Sequence, residues 1–381
     1  MSRPLEGIRV LELGLAIAGP HCTQILSDQG ADVIKIESPA GDRTRHARPM
    51  LKGESVYFAA HNRGKRSVCL DLKTDEGLNA LKGLAATADI LVTNFGGTVP
   101  ERLGWSYQTL KELNPMLVFV HITGFGAQGN KKNVPAYDGT IQAMSGLPAL
   151  TGHPEGGPML SGAFVADHIA AQHGAMGALL GLQTRERTGE GTFVDISMFD
   201  AYFSLLAHDV NEAATGIERE SAGNSVPTCY SEAFEAKDGL LFIAVLEQQS
   251  WDRLCVCIGR KEWVGAITYQ DDAMGWRRES INRVIAEWVA KQTREEAMKA
   301  LNEARVACGA FRSVAEVVAD EVANESPMVR AVETPGGQTV LVPGRPIRLG
   351  TSAESEISRI PALGESTEQI LNEIAGGASL V

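Results

Sequence analysis

Gly7-Ile-Arg-Val-Leu-Glu-Leu13 is a short, largely apolar run closed by Gly14, and its aliphatic content reads as a strand. Gly19-Pro20 punctuates the chain, a helix runs on through Leu26, and Asp32-Val-Ile-Lys-Ile-Glu37 repeats the strand pattern. Working outward, strand-like runs recur at 67–72, 90–93 and 117–123, with helical stretches such as Asp75–Thr87 between them. Strands that alternate with helices predict a parallel α/β sheet, because parallel neighbours need a crossover. Ligands of such sheets collect at the carboxyl ends of the strands.

After the polar stretch Glu218–Asn224 a second, smaller α/β unit is expected. Phe234-Glu-Ala-Lys-Asp-Gly-Leu-Leu-Phe-Ile-Ala-Val245 reads as two strands about a Lys-Asp-Gly turn. Helices are expected near 250–258, 278–291 and 294–304, then short strands and a last helix near 366–374. A length of 381 residues fits two domains, at roughly 150 residues each.

The composition is that of an ordinary globular protein, 44% hydrophobic and 22% charged. Neither a secretory signal nor a run of ~20 apolar residues is present, so a soluble cytoplasmic protein with no membrane partner is expected. The six cysteines are scattered and read as buried free thiols. The eight histidines form no H-x-x-x-H pair, and His168 and His173 fall on different helix faces, so no metal site is expected. A net charge of −12 argues against nucleic-acid binding. Yet residues 43–73 carry Arg43, Arg45, Arg48, Lys52, Arg63, Lys65, Arg66 and Lys73 against only Glu54 and Asp71, a local +6. Such a stretch is either a solvated basic face or a field that steers a phosphate-rich small ligand.

Gly124-Phe-Gly-Ala-Gln-Gly129 matches G-x-G-x-x-G, but the polar, proline-stopped loop after it opens no helix, which argues against a dinucleotide site. There is no Walker lysine pattern and no Gly-x-Ser-x-Gly elbow. More telling is Asp167, where a loop enters an unusually small-residue helix with Ala170, Ala171, Gly174, Ala178 and Gly181 at helical spacing. The small stripe would admit another backbone or a ligand at close range. A helix N-terminus favours negative charge, so the carboxylate is expected to stay ionised at neutral pH. It then either caps the helix or serves as a nucleophile toward an activated acyl group.

Several segments taken together carry a family resemblance. They are Leu5-Glu-Gly-Ile-Arg-Val-Leu-Glu-Leu13, Ala18-Gly-Pro20, Gly30-Ala-Asp-Val-Ile-Lys-Ile-Glu37, Asn62-Arg-Gly-Lys-Arg-Ser67, Leu70-Asp-Leu-Lys73, Asn94-Phe95, Arg102-Leu-Gly104, Tyr137-Asp138 and the Asp167 helix. In this order and spacing the chain resembles the class III (CaiB/BaiF, formyl-CoA transferase-like) CoA-transferases, down to Leu363-Gly-Glu-Ser-Thr-Glu-Gln-Ile370.

The resemblance implies a large Rossmann-like domain built from both chain ends, 1–215 and 331–381, a small domain at 225–330, a linker at 216–224, and a homodimer of interlocked chains. It implies Asp167 as nucleophile, with Ala16, Ile17, Leu70, Lys73, Asn94, Phe95, Arg102 and Tyr137 lining the CoA site, and Arg43 or Arg45 on its phosphates. The substrates would be an acyl-CoA and a small carboxylic acid, with no cofactor beyond the thioester itself. Oxyanion stabilisation is expected from backbone N–H groups near 222–224.

Ile17 stands where formyl-transferring members carry Gln, and no long glycine-rich lid is present, which points away from oxalate and toward a longer small dicarboxylate of four or five carbons, with succinyl-CoA as donor. Tyr137 replaces the His of the racemase branch, removing one of its two acid–base groups. The alternatives are an acyl-CoA racemase or isomerase, and a CoA-binding subunit of a heteromeric transferase.

Overall fold

Six strands pair entirely in parallel: β1 (Arg9–Leu13), β2 (Asp32–Glu37), β3 (Arg66–Cys69), β4 (Ile90–Thr93), β5 (Val118–Thr123) and β6 (Phe193–Ser197). Their spatial order is β3-β2-β1-β4-β5-β6, the doubly wound order in which the chain reverses direction between β1 and β4. The computed structural model describes residues 3–225, 229–267, 278–349 and 359–377. The strands expected at 90–93 and 117–123 match β4 and β5 closely, while β6 carries no strong alternation and escaped the sequence reading.

Alternate residues of most strands supply apolar side chains to both faces, as a fully buried parallel sheet requires. Val10, Val33, Val92, Val120 and Ile122 pack under α1 (Ala18–Asp28) and a 24-residue helix, Val165–Thr188. Leu11, Ile34, Val68, Leu91 and Phe119 pack under helices Asp75–Ala85, Tyr107–Leu113 and Thr367–Gly377. The last of these joins the C-terminal segment to the N-terminal sheet, with Cys69 N–H donating to Thr367 Oγ1 at 3.0 Å.

The small-residue stripe on the 24-residue helix has a purely internal reason. A Cβ at Gly174 would sit 2.8 Å from Ile122 Cδ1, and at Gly181 2.4 Å from Val118 Cγ1. The helix therefore lies flat on the sheet, and the partner it admits at close range is the β5 side-chain layer rather than a ligand.

The chain divides into two compact units, Met1–Leu147 with Ser161–Ala207 and Glu321–Val381, and Pro148–Leu160 with His208–Asp320. In the second unit β7 (Tyr230–Ala236), β8 (Gly239–Val245) and β9 (Ala307–Ala310) form an antiparallel sheet, β8 central. Tyr230, Phe234, Ile243, Trp251, Ile285 and Leu301 are among its core residues, drawn from both the strands and helices Gln248–Cys257, Arg278–Val289 and Arg294–Glu303. The expected Lys-Asp-Gly turn joins β7 to β8. No helix among the described residues is long and apolar enough to cross a membrane.

Candidate active site

Four loops leave the carboxyl ends of β1, β4, β5 and β6 on the same edge of the sheet, and a cavity of about 490 Å³ opens among them. It lies beside the reversal between β1 and β4, where the flanking loops diverge and leave a crevice. Its walls include Ala16, Asn94, Phe95, Thr123, Tyr137 and Asp167. That volume is in the range of small-molecule pockets, roughly 300–1,000 Å³.

Asn94 shapes the floor. Its Oδ1 accepts from Leu15 N–H and its Nδ2 donates to Leu15 C=O, both at 2.9 Å. This two-way clamp holds the loop after β1, in which Ala16 takes a left-handed φ of 63°. That conformation is costly for a residue with a Cβ and persists only where neighbours enforce it. Gly19 is obligatory nearby, since a Cβ there would stand 2.9 Å from Asn94 Oδ1. Asn94 thus acts on the site through the backbone it clamps.

Asp167 is the third residue of the 24-residue helix, whose N-cap, Phe164, provides no side-chain cap. The missing cap comes from elsewhere: Asp138 Oδ1 accepts from Asp167 N–H at 3.1 Å, and Gln142 Nε2 donates to Asp138 Oδ2 at 2.6 Å. The capping carboxylate is therefore Asp138, buried in the first turn of helix Asp138–Met144, and Asp167 is spared for the cavity. Asp138 also changes the chemistry. Burial, and then the Asp138 charge, raise the Asp167 carboxyl to about 7. The expectation of a fully ionised carboxylate is thus corrected: desolvation and a like charge outweigh the helix dipole, worth only about 0.3–1 kcal/mol at an exposed terminus.

Half of the cations in the basic stretch, Arg45, Arg63, Lys65 and Arg66, are spent on internal pairs. Arg45 makes a two-pronged pair with Glu37, at 2.8 and 2.7 Å, and donates to Pro361 C=O. Arg63 pairs with Asp28, and Arg66 with Asp32 and Glu373. Lys65 Nζ lies 2.7 Å from Glu12 Oε2, and Lys35 Nζ 2.6 Å from Glu12 Oε1, all three side chains fully buried. Burial alone would raise the Glu12 carboxyl, but the two ammonium groups hold it at about 2. Lys35 also pairs with Asp42 at 3.0 Å, and Asp42 Oδ1 accepts from Thr44 N–H and Oγ1. This buried chain fixes the turn that presents Arg43, whose guanidinium lies 5.6 Å from the Tyr137 ring on the cavity wall.

Of the remaining residues singled out from the sequence, Ile17 is 1% exposed in the core and does not line the cavity, so it offers no apolar wall to a substrate there. Leu70 is buried under the sheet, while Lys73 and Arg102 are exposed and outside the cavity lining. In the second unit, Gly223 N–H donates to Gly152 C=O at 2.9 Å, which commits the one amide that could have served as an oxyanion donor at that glycine. Asp138 and Gln142 were missed as site residues by the sequence reading, and so was Lys132, which lines the cavity. The Tyr-Asp dipeptide was noted only for its tyrosine, and nothing local to Asp138 signals that it caps a helix 29 positions away.

Comparison with known proteins bears on the same features. The family described as CoA-transferase family III matches residues 5–367. A succinyl-CoA:mesaconate CoA-transferase of Haloarcula hispanica is 36% identical over 98% of this chain and 97% of its own. A formyl-CoA:oxalate CoA-transferase of Rhodopseudomonas palustris is 32% identical, over 99% and 94%. Among solved structures, a CAIB/BAIF family protein from Brucella suis superposes with a TM-score of 0.85 at 32% identity, over 98% of this chain and all of that one.

Proposed function

The chain belongs to CoA-transferase family III and is an acyl-CoA:carboxylate CoA-transferase, and from that premise we propose that Asp167 carries the CoA between donor and acceptor as a covalent intermediate. The single observation behind this reading is a carboxylate with no capping duty on the wall of the cavity at the carboxyl ends of the strands.

The ionised Asp167 oxygen attacks the thioester carbonyl of the donor, the C–S bond breaks, and CoA leaves as thiolate from a mixed anhydride. The thiolate then attacks the aspartyl carbonyl, releasing the donor acid and leaving an aspartyl-CoA thioester. An acceptor carboxylate attacks that carbonyl, expels the thiolate and forms a second anhydride. Thiolate attack on the acceptor's carbonyl completes the exchange and frees Asp167. No step needs net proton transfer or an electron acceptor, which suits a cavity wall with a single free carboxylate. Every oxygen that departs is a carboxylate, and the nucleophile is regenerated without water.

A carboxyl held near 7 suits this role. An oxyanion with a higher proton affinity is the stronger nucleophile, and about half is ionised at neutral pH. Both Asp138 oxygens are engaged, by Gln142 and by the helix, so Asp138 is not placed to exchange an α-proton. That supports transfer over racemisation.

Arg43, which pairs with no carboxylate among the described residues, is proposed to meet CoA phosphate, with Ala16, Asn94, Phe95 and Tyr137 around the thioester end. A small dicarboxylate acceptor of four or five carbons with a succinyl donor is the reading we favour, supported by the name of the Haloarcula hispanica relative. A second copy of the chain is proposed to cover the exposed Met176, Leu179 and Leu180 of the long helix, up to 65% exposed and too apolar to stay in water at no cost.

The test is trapping. Incubation with succinyl-CoA followed by borohydride or hydroxylamine should label one peptide, that of Asp167, and the Asp167→Asn protein should stay unlabelled. A label elsewhere overturns the mechanism. A panel pairing succinyl-CoA and formyl-CoA with oxalate, succinate, malate, itaconate and mesaconate decides the acceptor. The reading of a four- or five-carbon acceptor fails if formyl-CoA and oxalate win by tenfold, about 1.4 kcal/mol of transition-state preference.

A further inference from the structure

Three histidines that are far apart in sequence meet outside the cavity. His21 lies in the first turn of α1, His61 at the end of helix Val56–Asn62, and His168 in the 24-residue helix directly after Asp167. Their ring centroids are 4.7 Å apart for His21 and His168, 5.4 Å for His61 and His168, and 5.5 Å for His21 and His61. One ring nitrogen from each can be chosen so that all three lie within 4.8 Å of one another.

The hydrogen bonding of these rings is incomplete in a directed way. His168 Nδ1 lies 2.6 Å from Phe164 C=O. A carbonyl only accepts, so Nδ1 carries the proton and Nε2 of the neutral ring presents a lone pair. This is the arrangement by which a backbone carbonyl orients a metal-bound imidazole. His21 Nδ1 and His61 Nδ1 are buried and have no hydrogen-bond partner, and His61 is only 8% exposed. A buried ring nitrogen without a partner costs about 1–3 kcal/mol, so two in one cluster of rings call for a ligand.

We infer that His21, His61 and His168 form a three-histidine site for a divalent first-row metal, zinc foremost, which ties α1, helix Val56–Asn62 and the Asp167 helix together. Three neutral imidazoles are a ligand set suited to zinc, with a fourth position left for water.

Two cations stand nearby and would oppose a bare dication, but each is already matched. Lys65 is bound to Glu12, Pro20 C=O and Asn62, and Arg63 to Asp28. Bringing the nitrogens to zinc at about 2.0–2.1 Å asks for a contraction of roughly 1.5 Å between rings, within reach of small side-chain rotations.

The test uses the full chain, stripped with a chelator and without any acyl-CoA. Titration with Co²⁺ should give the visible absorption of a tetrahedral site, and Zn²⁺ should displace it at one equivalent. His21→Ala and His168→Asn should each weaken Zn²⁺ binding by about a hundredfold or more, while His173→Asn, on the same long helix, should leave it unchanged. Because His168 is only partly buried, its variant keeps the comparison usable if His61→Ala misfolds. The inference is overturned if Co²⁺ gives only the weak absorption of surface binding. It is also overturned if stoichiometric binding survives in the His21→Ala/His168→Asn double variant, the rings then being served by a buried water. Neither outcome touches the CoA-transfer reading, since no turnover is measured.

Discussion

Replacing Asp167 by Asn should make the protein more stable and inactive, and the stability gain should depend on pH in a specific way. The folded protein holds this carboxyl at about 7 against an ordinary 3.8, because burial and Asp138 both penalise the charge. A carboxyl raised in the folded state binds its proton more tightly there than in the unfolded chain. Stability contributed by that proton is complete below 3.8 and is lost as pH climbs from 3.8 to about 7. Above that window the wild type carries an ionised, poorly solvated carboxylate, at a cost of about 4 kcal/mol from 1.36 kcal/mol per pH unit.

Asn keeps the size and the backbone N–H that Asp138 caps, but removes the charge. Its buried amide costs about 1 kcal/mol in return. The expected net gain is therefore about 3 kcal/mol at pH 8, shrinking to nothing or slightly below by pH 4. Urea unfolding of both proteins at fixed concentration, with chelator present and at pH 4, 5, 6, 7 and 8, reads it directly. Equal stability at pH 8, or a gain that does not change with pH, would refute the account of Asp167 as a strained carboxylate. Gains in stability on removing a functional group are the usual trade-off at such sites.

Arg43→Ala should raise KM for the acyl-CoA by about tenfold or more, as one charge-assisted phosphate contact is worth about 1.5–3 kcal/mol, with little change in unfolding midpoint. Arg45→Ala should instead destabilise the fold by about 3–5 kcal/mol, leaving the buried Glu37 without its partner; denaturation and steady-state kinetics on the pair separate the roles. Asn94→Ala should free Leu15 and Ala16, raising KM and costing about 1–3 kcal/mol of stability for the two lost partners, and unchanged kinetics would show that the clamp does not shape the cavity. Sedimentation should find a dimer that does not dissociate on dilution, and charging Leu180 as Leu180→Glu should abolish it; a monomer in the wild type would remove the proposed role of that apolar face.

Some of this protein could be read from the chain alone. The strand–helix alternation from Gly7 onward, the parallel sheet, the failed dinucleotide motif at Gly124 and the singular position of Asp167 are all local in sequence. They follow from side-chain period and turn chemistry, which act over a few residues. The family signature is likewise a matter of order and spacing.

Tertiary structure decided the rest, and always through neighbours distant in the chain. Linear charge counting found a basic stretch at 43–73, but Glu12, Asp28, Glu37 and Glu373 reach it in space and leave Arg43 as its cavity contact. Ile17 looked like a wall of the site and proved to be core. The small-residue stripe that suggested a ligand fits the β5 side chains instead. Asp167 could not be known to sit near 7 until Asp138 was found capping its helix. The histidines showed no metal spacing because each belongs to a different helix. Propensity is a property of adjacent residues, whereas proton affinity, desolvation and ligand geometry are set by whatever folding brings within a few ångströms.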